Sequence, residues 1–261
     1  MTPPRAVYDD IGSGYDLTRH ADPHIVSRFA AWLQPEPDGD YLDLGCGTGN
    51  YTIALAQRAG RWYGVDESST MLTAAAPKSN AVRWVIASVE RLPVATSRVS
   101  GVLCALALHH FRDLTAACAE MRRVLGDGRL VIFTASHAQM RGYWLNEYFP
   151  EAMVRSIAKM PDIDAIVEGL RAAGFTTIDQ ELYSVRPDLQ DGFLYSAKWH
   201  PERYLSERFR AGISTFRTLT TEAELERGCG KLSRDITSGR IEHTVAKYAS
   251  ESGDYLILSA T

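Results

Sequence analysis

The sequence predicts an α/β fold built on a doubly wound, mostly parallel sheet. Apolar segments of strand length alternate with segments of helical spacing through the first half of the chain. A glycine-rich turn, Gly45 to Gly49, joins the first of these strands directly to a helix. The 261 residues are 45% hydrophobic and 23% charged, which is enough for one domain with a full core. Such alternation indicates a sheet that is covered by helices on both faces.

The predicted elements follow one another in a regular order, and proline or glycine marks several of their ends. Pro77 stops the third helix, and Gly126 and Gly174 end the fourth and fifth. The predicted strands are Tyr41–Leu44, Trp62–Val65, Val82–Ala87, Gly101–Leu108, Arg129–Ala135, Phe175–Val185 and Asp254–Ala260. The predicted helices are Pro23–Trp32, Asn50–Ala59, Ser69–Ala76, Leu114–Leu125 and Ile163–Ala173.

The gap before the last strand predicts a structured insertion, because about 65 residues are far more than an ordinary loop contains. This insertion is rich in aromatic residues and has helical patterning at Glu222–Leu232. A second elaboration follows the fifth strand. Both emerge at the sheet edge where doubly wound folds bind ligands. We therefore predict a single domain, 1–261, with a core at 25–136, 162–186 and 253–261 and lid elements at 1–24, 137–161 and 187–252.

Charge and spacing around the glycine turn indicate which ligand it holds. Asn50 stands where the dinucleotide fingerprint has its third glycine, and Asp43 would repel a pyrophosphate but attract a cation. Asp66 follows at the tip of the second strand, where a carboxylate can accept both hydroxyls of a ribose. A ribose with a cationic tail describes S-adenosylmethionine.

Six motifs occur in a fixed order along the first half of the chain. They are Tyr8–Tyr15, Asp43–Gly49, Gly64–Asp66, Glu90–Pro93, Leu108–Phe111 and Arg123–Ile132. With them the chain resembles the class I S-adenosylmethionine-dependent methyltransferases, in the ubiquinone/menaquinone-biosynthesis-like (type 11) branch. The resemblance implies a seven-stranded Rossmann-like sheet and an enzyme that transfers a methyl group from S-adenosyl-L-methionine to a small-molecule acceptor by in-line displacement.

The cofactor site follows from the glycine turn and from this resemblance. The N-terminal segment, with Tyr8, Tyr15 and Arg19, folds over the methionine end of the cofactor in similar enzymes. The alternative is that these three residues serve only for packing. Asp66 could instead cap a helix, and Asp43 could only pin loop amides. The predicted cofactor-binding residues are Tyr15, Arg19, Asp43, Gly45, Cys46, Gly47, Asp66, Glu67, Ser88, Val89, Ala105 and Leu106.

Ser88 is a departure from the family pattern. Relatives commonly carry Gly-Asp-Ala before the glutamate at position 90, whereas this chain reads Ala87-Ser88-Val89. The usual carboxylate for the adenine amino group is therefore replaced by a hydroxyl.

The candidate catalytic residues are His109 and His110, which follow the fourth strand. An imidazole with a pKa near ~6.5 can accept a proton from the acceptor at neutral pH. The alternative is a scaffold role, because this motif is widespread in the family whatever the substrate. Two histidines without a third ligand predict no metal site.

Aromatic residues of the two elaborations are the candidates for acceptor binding. The residues predicted to line the acceptor pocket are Trp144, Tyr148, Tyr195 and Trp199. They could equally form the core of the insertion.

Composition disfavours other classes of partner. The net charge is −4 with scattered lysine and arginine, so a nucleic-acid partner is not expected unless Arg203, Arg208, Arg210 and Arg217 cluster on one face. The four cysteines form no C-x-x-C pair, which indicates neither a disulfide framework nor a zinc site. No apolar run reaches about 18 residues, so we predict a cytoplasmic protein without membrane contact.

A tRNA or protein methyltransferase, or a non-catalytic cofactor-binding relative, remains the alternative function. The oligomeric state is not predicted.

Overall fold

The computed structural model describes residues 15–261. Seven strands in this part of the chain form one sheet. Its strands are β1 Asp40–Leu44, β2 Arg61–Asp66, β3 Val82–Ile86, β4 Val99–Ala105, β5 Leu125–Thr134, β6 Ile178–Tyr183 and β7 Tyr255–Ala260. They lie in the order β3-β2-β1-β4-β5-β7-β6. The strand β7 runs antiparallel to β5 and β6, and the other pairs are parallel. The predicted fold class is confirmed.

Ten α-helices are described within residues 15–261. They are α1 Pro23–Leu33, α2 Asn50–Ala56, α3 Ser69–Ala75, α4 Leu114–Val124, α5 His137–Arg141, α6 Pro150–Lys159, α7 Ile163–Ala172, α8 Glu207–Ala211, α9 Glu222–Thr237 and α10 Arg240–Lys247. Short 3₁₀ helices include Tyr15–Leu17, Leu108–His110, Trp144–Glu147 and Pro201–Leu205, and Thr215–Leu219 is a π-helical turn. Tyr8 and the start of the predicted lid segment 1–24 lie outside the described residues.

Helix α1 illustrates how local sequence sets these elements. The Asp22 side chain accepts hydrogen bonds from the amides of His24 and Ile25, and Pro23 occupies the first helical position. Its buried face, which includes Ile25 and Phe29, packs against the sheet. The start predicted from the sequence is therefore correct.

The side chains of the central strands alternate between two hydrophobic clusters. Tyr41 and Phe133 belong to one cluster, whereas Leu42 and Ile132 belong to the other. Strand β1 is buried along its whole length. Because both faces of the sheet are covered, the carboxyl edge of the parallel strands is left for ligand binding.

The segment between β6 and β7 packs against the elaboration after β5. Tyr143 stacks on Tyr195 with ring centroids 4.0 Å apart, and Trp144 meets Tyr204 edge-to-face at 5.4 Å. The two elaborations therefore share one aromatic layer. In the described part of the chain, no helix combines the length and apolar character needed to cross a membrane.

Candidate active site

The loop after β1 turns sharply at three glycines. Gly45, Gly47 and Gly49 have φ values of +69°, +54° and +76°, in the region that side chains disfavour. A Cβ at Gly45 would lie 2.5 Å from the Ala107 Cβ, and one at Gly49 would lie 2.2 Å from the Trp84 ring. A Cβ at Gly47 would meet no atom within 4 Å. Of the three, Gly47 thus faces open space, whereas the other two are required by packing inside the protein.

Asp66 fastens this loop to the tip of β2. Its carboxylate accepts hydrogen bonds from the amides of Gly47 and Ser68, each at 2.8 Å. Ser68, not Asp66, caps helix α3. Glu67, the next residue, forms an ion pair of 2.9 Å with Arg112 at the surface. Two carboxylates therefore stand side by side at the end of β2.

Asp43 lies beneath the loop with 3% of its surface exposed. Burial, together with the negative charge of Asp66, raises the pKa of this carboxyl to about 7, although the hydrogen bond donated by the Thr52 hydroxyl acts in the opposite direction. A positive charge placed nearby would stabilise the ionised form.

The N-terminal 3₁₀ helix is bound to the glycine loop through Asp16. The Asp16 carboxylate accepts hydrogen bonds from the Thr48 hydroxyl, the Asn50 amide at 3.2 Å and the Lys78 ammonium at 2.9 Å. These contacts fix the backbone that carries Tyr15 and Arg19 against the mouth of the loop.

Asp191, from the insertion, joins three separate segments at one buried carboxylate. It pairs with the Arg19 guanidinium at 2.6 Å and accepts from the Tyr51 hydroxyl at 3.0 Å and the His20 amide at 3.3 Å. Arg19 also donates to the Tyr15 hydroxyl at 2.6 Å. Sequence reasoning missed Asp191, because no motif surrounds it.

The end of β4 brings two histidines toward the same region. Leu106 adopts a φ of +54° and donates its amide to the Phe133 carbonyl at 2.8 Å, which turns the chain into the 3₁₀ helix Leu108–His110. The His109 and His110 ring centroids are 3.9 Å apart. The buried His109 Nδ1 has no hydrogen-bond partner among the described residues.

The surroundings of both rings disfavour the protonated form. Burial lowers the pKa of His109 well below its usual range, and the neighbouring His110 and the charges of Lys159 and Arg19 lower it further. Burial and the Lys159 charge lower the pKa of His110 to about 4. Both imidazoles are therefore neutral at pH 7 and weakly basic.

A single cavity of about 330 Å³ contacts most of the predicted site residues. The predicted residues that line it are Tyr15, Arg19, Asp43, Gly45, Cys46, Gly47, Asp66, Glu67, Val89, Ala105, Leu106, His109 and His110. Ser88 is not among the described residues that line it, and its hydroxyl donates to the Glu90 carboxylate instead.

The four aromatics predicted to bind an acceptor lie away from this cavity. Trp144, Tyr148 and Tyr195 are at most 3% exposed and do not line it, because they pack inside the aromatic layer. The Trp144 indole donates to the Lys198 carbonyl at 3.2 Å, and the Tyr148 hydroxyl donates to Asp235 at 3.1 Å. Trp199 is 46% exposed and donates to a backbone carbonyl. The contacts of the first three favour packing roles over acceptor binding.

Other side chains from the same two elaborations line the cavity instead of the predicted aromatics. The apolar part of the cavity wall includes Met140, Tyr143, Met160, Phe193 and Leu194. The sequence did not identify them as cavity residues, because no local signal distinguishes Tyr143 from the adjacent Trp144. No group of three or more possible metal ligands from histidine, cysteine, aspartate and glutamate occurs within residues 15–261.

Comparisons with known proteins agree with this geometry. Residues 42–133 match a family model described as a methyltransferase domain. The chain is 31% identical to a 2-phytyl-1,4-naphtoquinone methyltransferase of Trichormus variabilis over 129 residues, which cover 46% of this chain and only 55% of that relative. It is 30% identical to a demethylmenaquinone methyltransferase of Deinococcus radiodurans over 162 residues, 52% of this chain and 67% of that relative.

A solved structure extends the likeness beyond the aligned half. A protein of Anabaena variabilis, described as a methyltransferase from an antibiotic biosynthesis pathway, matches with a TM-score of 0.86 and 29% identity. The match covers 94% of this chain and 99% of that one. Because so little of the chain is left out, most of the insertion between β6 and β7 is shared by the two structures.

Proposed function

This chain belongs to the class I S-adenosylmethionine-dependent methyltransferases, and from that membership we propose that it methylates a small, largely apolar acceptor bound in the cavity. The observation that carries the proposal is that one cavity joins the open backbone at Gly47 and the Asp66 carboxylate to the apolar wall around Tyr143 and Phe193. The names of the two quinone methyltransferases add support, since a quinone is a small molecule of this character.

The glycine-loop end of the cavity fits S-adenosylmethionine. Gly47 leaves room for a ligand against the backbone. The Asp66 carboxylate, which has about four lone-pair positions, can accept ribose hydroxyls beside the two loop amides. Tyr15, Arg19 and Asp43 would surround the charged methionine end.

The remaining residues hold and orient the acceptor. When bound, the cofactor supplies an electrophilic methyl group: the acceptor nucleophile bonds to the methyl carbon, the carbon–sulfur bond breaks, and its electron pair stays on sulfur. Alignment within a water-excluding cavity accounts for much of the rate enhancement in such reactions. His109 and His110 contact the acceptor as neutral imidazoles, and their low pKa values make them weak bases.

Asp66→Ala tests the cofactor site. We expect S-adenosylmethionine affinity, measured by calorimetry, to fall at least about tenfold, because hydrogen bonds to a charged carboxylate contribute roughly 1.5–3 kcal/mol each. Asp162→Ala is the matched control, since the Asp162 carboxylate also accepts a hydrogen bond from a backbone amide but does not line the cavity. Unchanged affinity in an Asp66→Ala protein that melts like the wild type would refute the assignment.

A nucleic-acid acceptor, the alternative that would need a cluster of arginines, is less well supported. Arg203 lies over the Phe209 ring at 4.5 Å, and Arg210 donates to the Tyr204 carbonyl at 2.7 Å, so these two contacts lie within the insertion. Arg208 and Arg217 are exposed. Two of the four arginines considered for a nucleic-acid surface are thus half-buried in local contacts.

A further inference from the structure

Lys159 is a cation on the acceptor side of the cavity. It is the last residue of α6, is exposed, and lines the cavity, so it stands where the cavity meets solvent. Within residues 15–261 it forms no ion pair or hydrogen bond. No motif drew attention to it in the sequence.

The other charges of the cavity wall have partners. The two arginines are paired, Arg19 with Asp191 at 2.6 Å and Arg112 with Glu67 at 2.9 Å. The Glu90 carboxylate accepts from the Ser88 hydroxyl and from the Arg112 amide. Asp43 and Asp66 accept hydrogen bonds at the glycine-loop end. No described carboxylate therefore neutralises Lys159.

Polar atoms of neighbouring side chains accompany this cation. The His109 Nδ1 is buried without a hydrogen-bond partner in the described chain, although the ring lines the cavity. Ser156, one helical turn before Lys159, also lines the cavity and is 3.0 Å from the Thr215 hydroxyl. This part of the wall presents a positive charge and hydrogen-bonding groups next to the apolar surface of Met160 and Phe193.

The Lys159 charge also makes His109 and His110 poor proton acceptors. Besides burial, the Lys159 ammonium lowers the pKa of both rings, that of His110 to about 4. An ordinary phenol, with a pKa of about 10, would give up its proton to such a ring only at a large free-energy cost. An acceptor that is already ionised would not need a base.

We propose that Lys159 and His109 form a subsite for an acidic acceptor, one whose nucleophilic group carries an anionic oxygen at neutral pH and is attached to an apolar body. The ammonium pairs with the oxygen, and the apolar body packs against Met160 and Phe193. The inference rests on the proposed function and gives it a substrate class. An ionised acceptor has no proton to lose, so methylation at the oxygen turns the anion into a neutral product that no longer pairs with Lys159.

Binding of simple acids tests the subsite without knowledge of the true acceptor. The probes are benzoate, cinnamate and naphthalene-2-carboxylate, each compared with its neutral carboxamide of the same shape. Affinity is measured by calorimetry near neutral pH on the full chain saturated with S-adenosylhomocysteine. The variants are Lys159→Met and Lys159→Arg, with Lys247→Met as the control, because Lys247 is exposed and paired with Glu147 outside the cavity.

We expect the wild type to bind at least one acid about tenfold more tightly than its carboxamide. Lys159→Met should abolish this preference and leave S-adenosylhomocysteine affinity unchanged, whereas Lys159→Arg and Lys247→Met should keep the preference. The inference is overturned if the wild type does not prefer the acids, if none of them binds, or if Lys159→Met retains the preference. Failure to bind S-adenosylhomocysteine at all would count against the proposed function as well, so the two failures are distinguishable.

Discussion

The buried carboxyl of Asp43 links the stability of this fold to pH. It lies under the glycine loop with one side-chain hydrogen bond, from Thr52, and burial raises its pKa to about 7. In the unfolded chain the same group ionises near its ordinary pKa of about 3.9. Between these two values the folded state binds more protons than the unfolded state.

Asp43 should therefore make the free energy of unfolding fall as pH rises from about 4 to about 7, with no further loss above that range. Asp43→Asn, which has nearly the same shape and no charge, should remove this part of the slope. Urea denaturation of both proteins across the range measures the difference. Superimposable pH dependence in the two proteins would show that Asp43 does not titrate in this way.

At the scale of elements, Asp191 connects the insertion to the N-terminal segment and to α2. The three segments meet at a carboxylate that is 1% exposed, paired with an Arg19 side chain that is 14% exposed. Removing the Asp191 charge would deprive the Arg19 guanidinium of this buried ion pair, which is costly. The position of Arg19 beside the cavity thus depends on a residue far away in sequence.

Asp191→Asn should lower the free energy of unfolding by about 3 kcal/mol, because it breaks a buried ion pair. It should also weaken S-adenosylmethionine binding, since Arg19 and Tyr15 would lose their support. Asp188→Asn is the matched control: its ion pair with Arg186 is 71% exposed on the aspartate side and should contribute under about 1 kcal/mol. Chemical denaturation compares the two variants, and equal losses would contradict the assigned role of Asp191.

The sequence predicted elements more reliably than the side chains that face the cavity. Strands, helix starts and the glycine loop depend on local signals such as Asp22 and Pro23, so their positions were close to those observed. The fifth strand begins at Leu125 rather than Arg129, and the sixth is shorter than predicted. Whether Tyr143 or Trp144 faces the cavity depends on tertiary packing, and the two residues are adjacent and chemically alike. Likewise, no local signal separates Lys159 from Lys247.

At the scale of the whole molecule, the cavity is enclosed by segments that are distant in sequence. Its wall includes Arg19 from the N-terminal segment, Met140 from the elaboration after β5 and Phe193 from the insertion, besides the loops of the sheet edge. Residues of all three segments predicted as lid elements thus line the cavity, and the lid itself stays a prediction. A site that excludes water from the reacting atoms strengthens the electrostatic interactions within it.

The most direct test of the account is the transfer of a labelled methyl group from S-adenosylmethionine to the components of a bacterial extract separated into small molecules, RNA and protein. With the wild type we expect the label in the small-molecule fraction, at least about tenfold above the level with Asp66→Ala. The labelled product should then be identified by mass spectrometry. Label confined to RNA or protein, or none above the Asp66→Ala level in any fraction, would contradict the account.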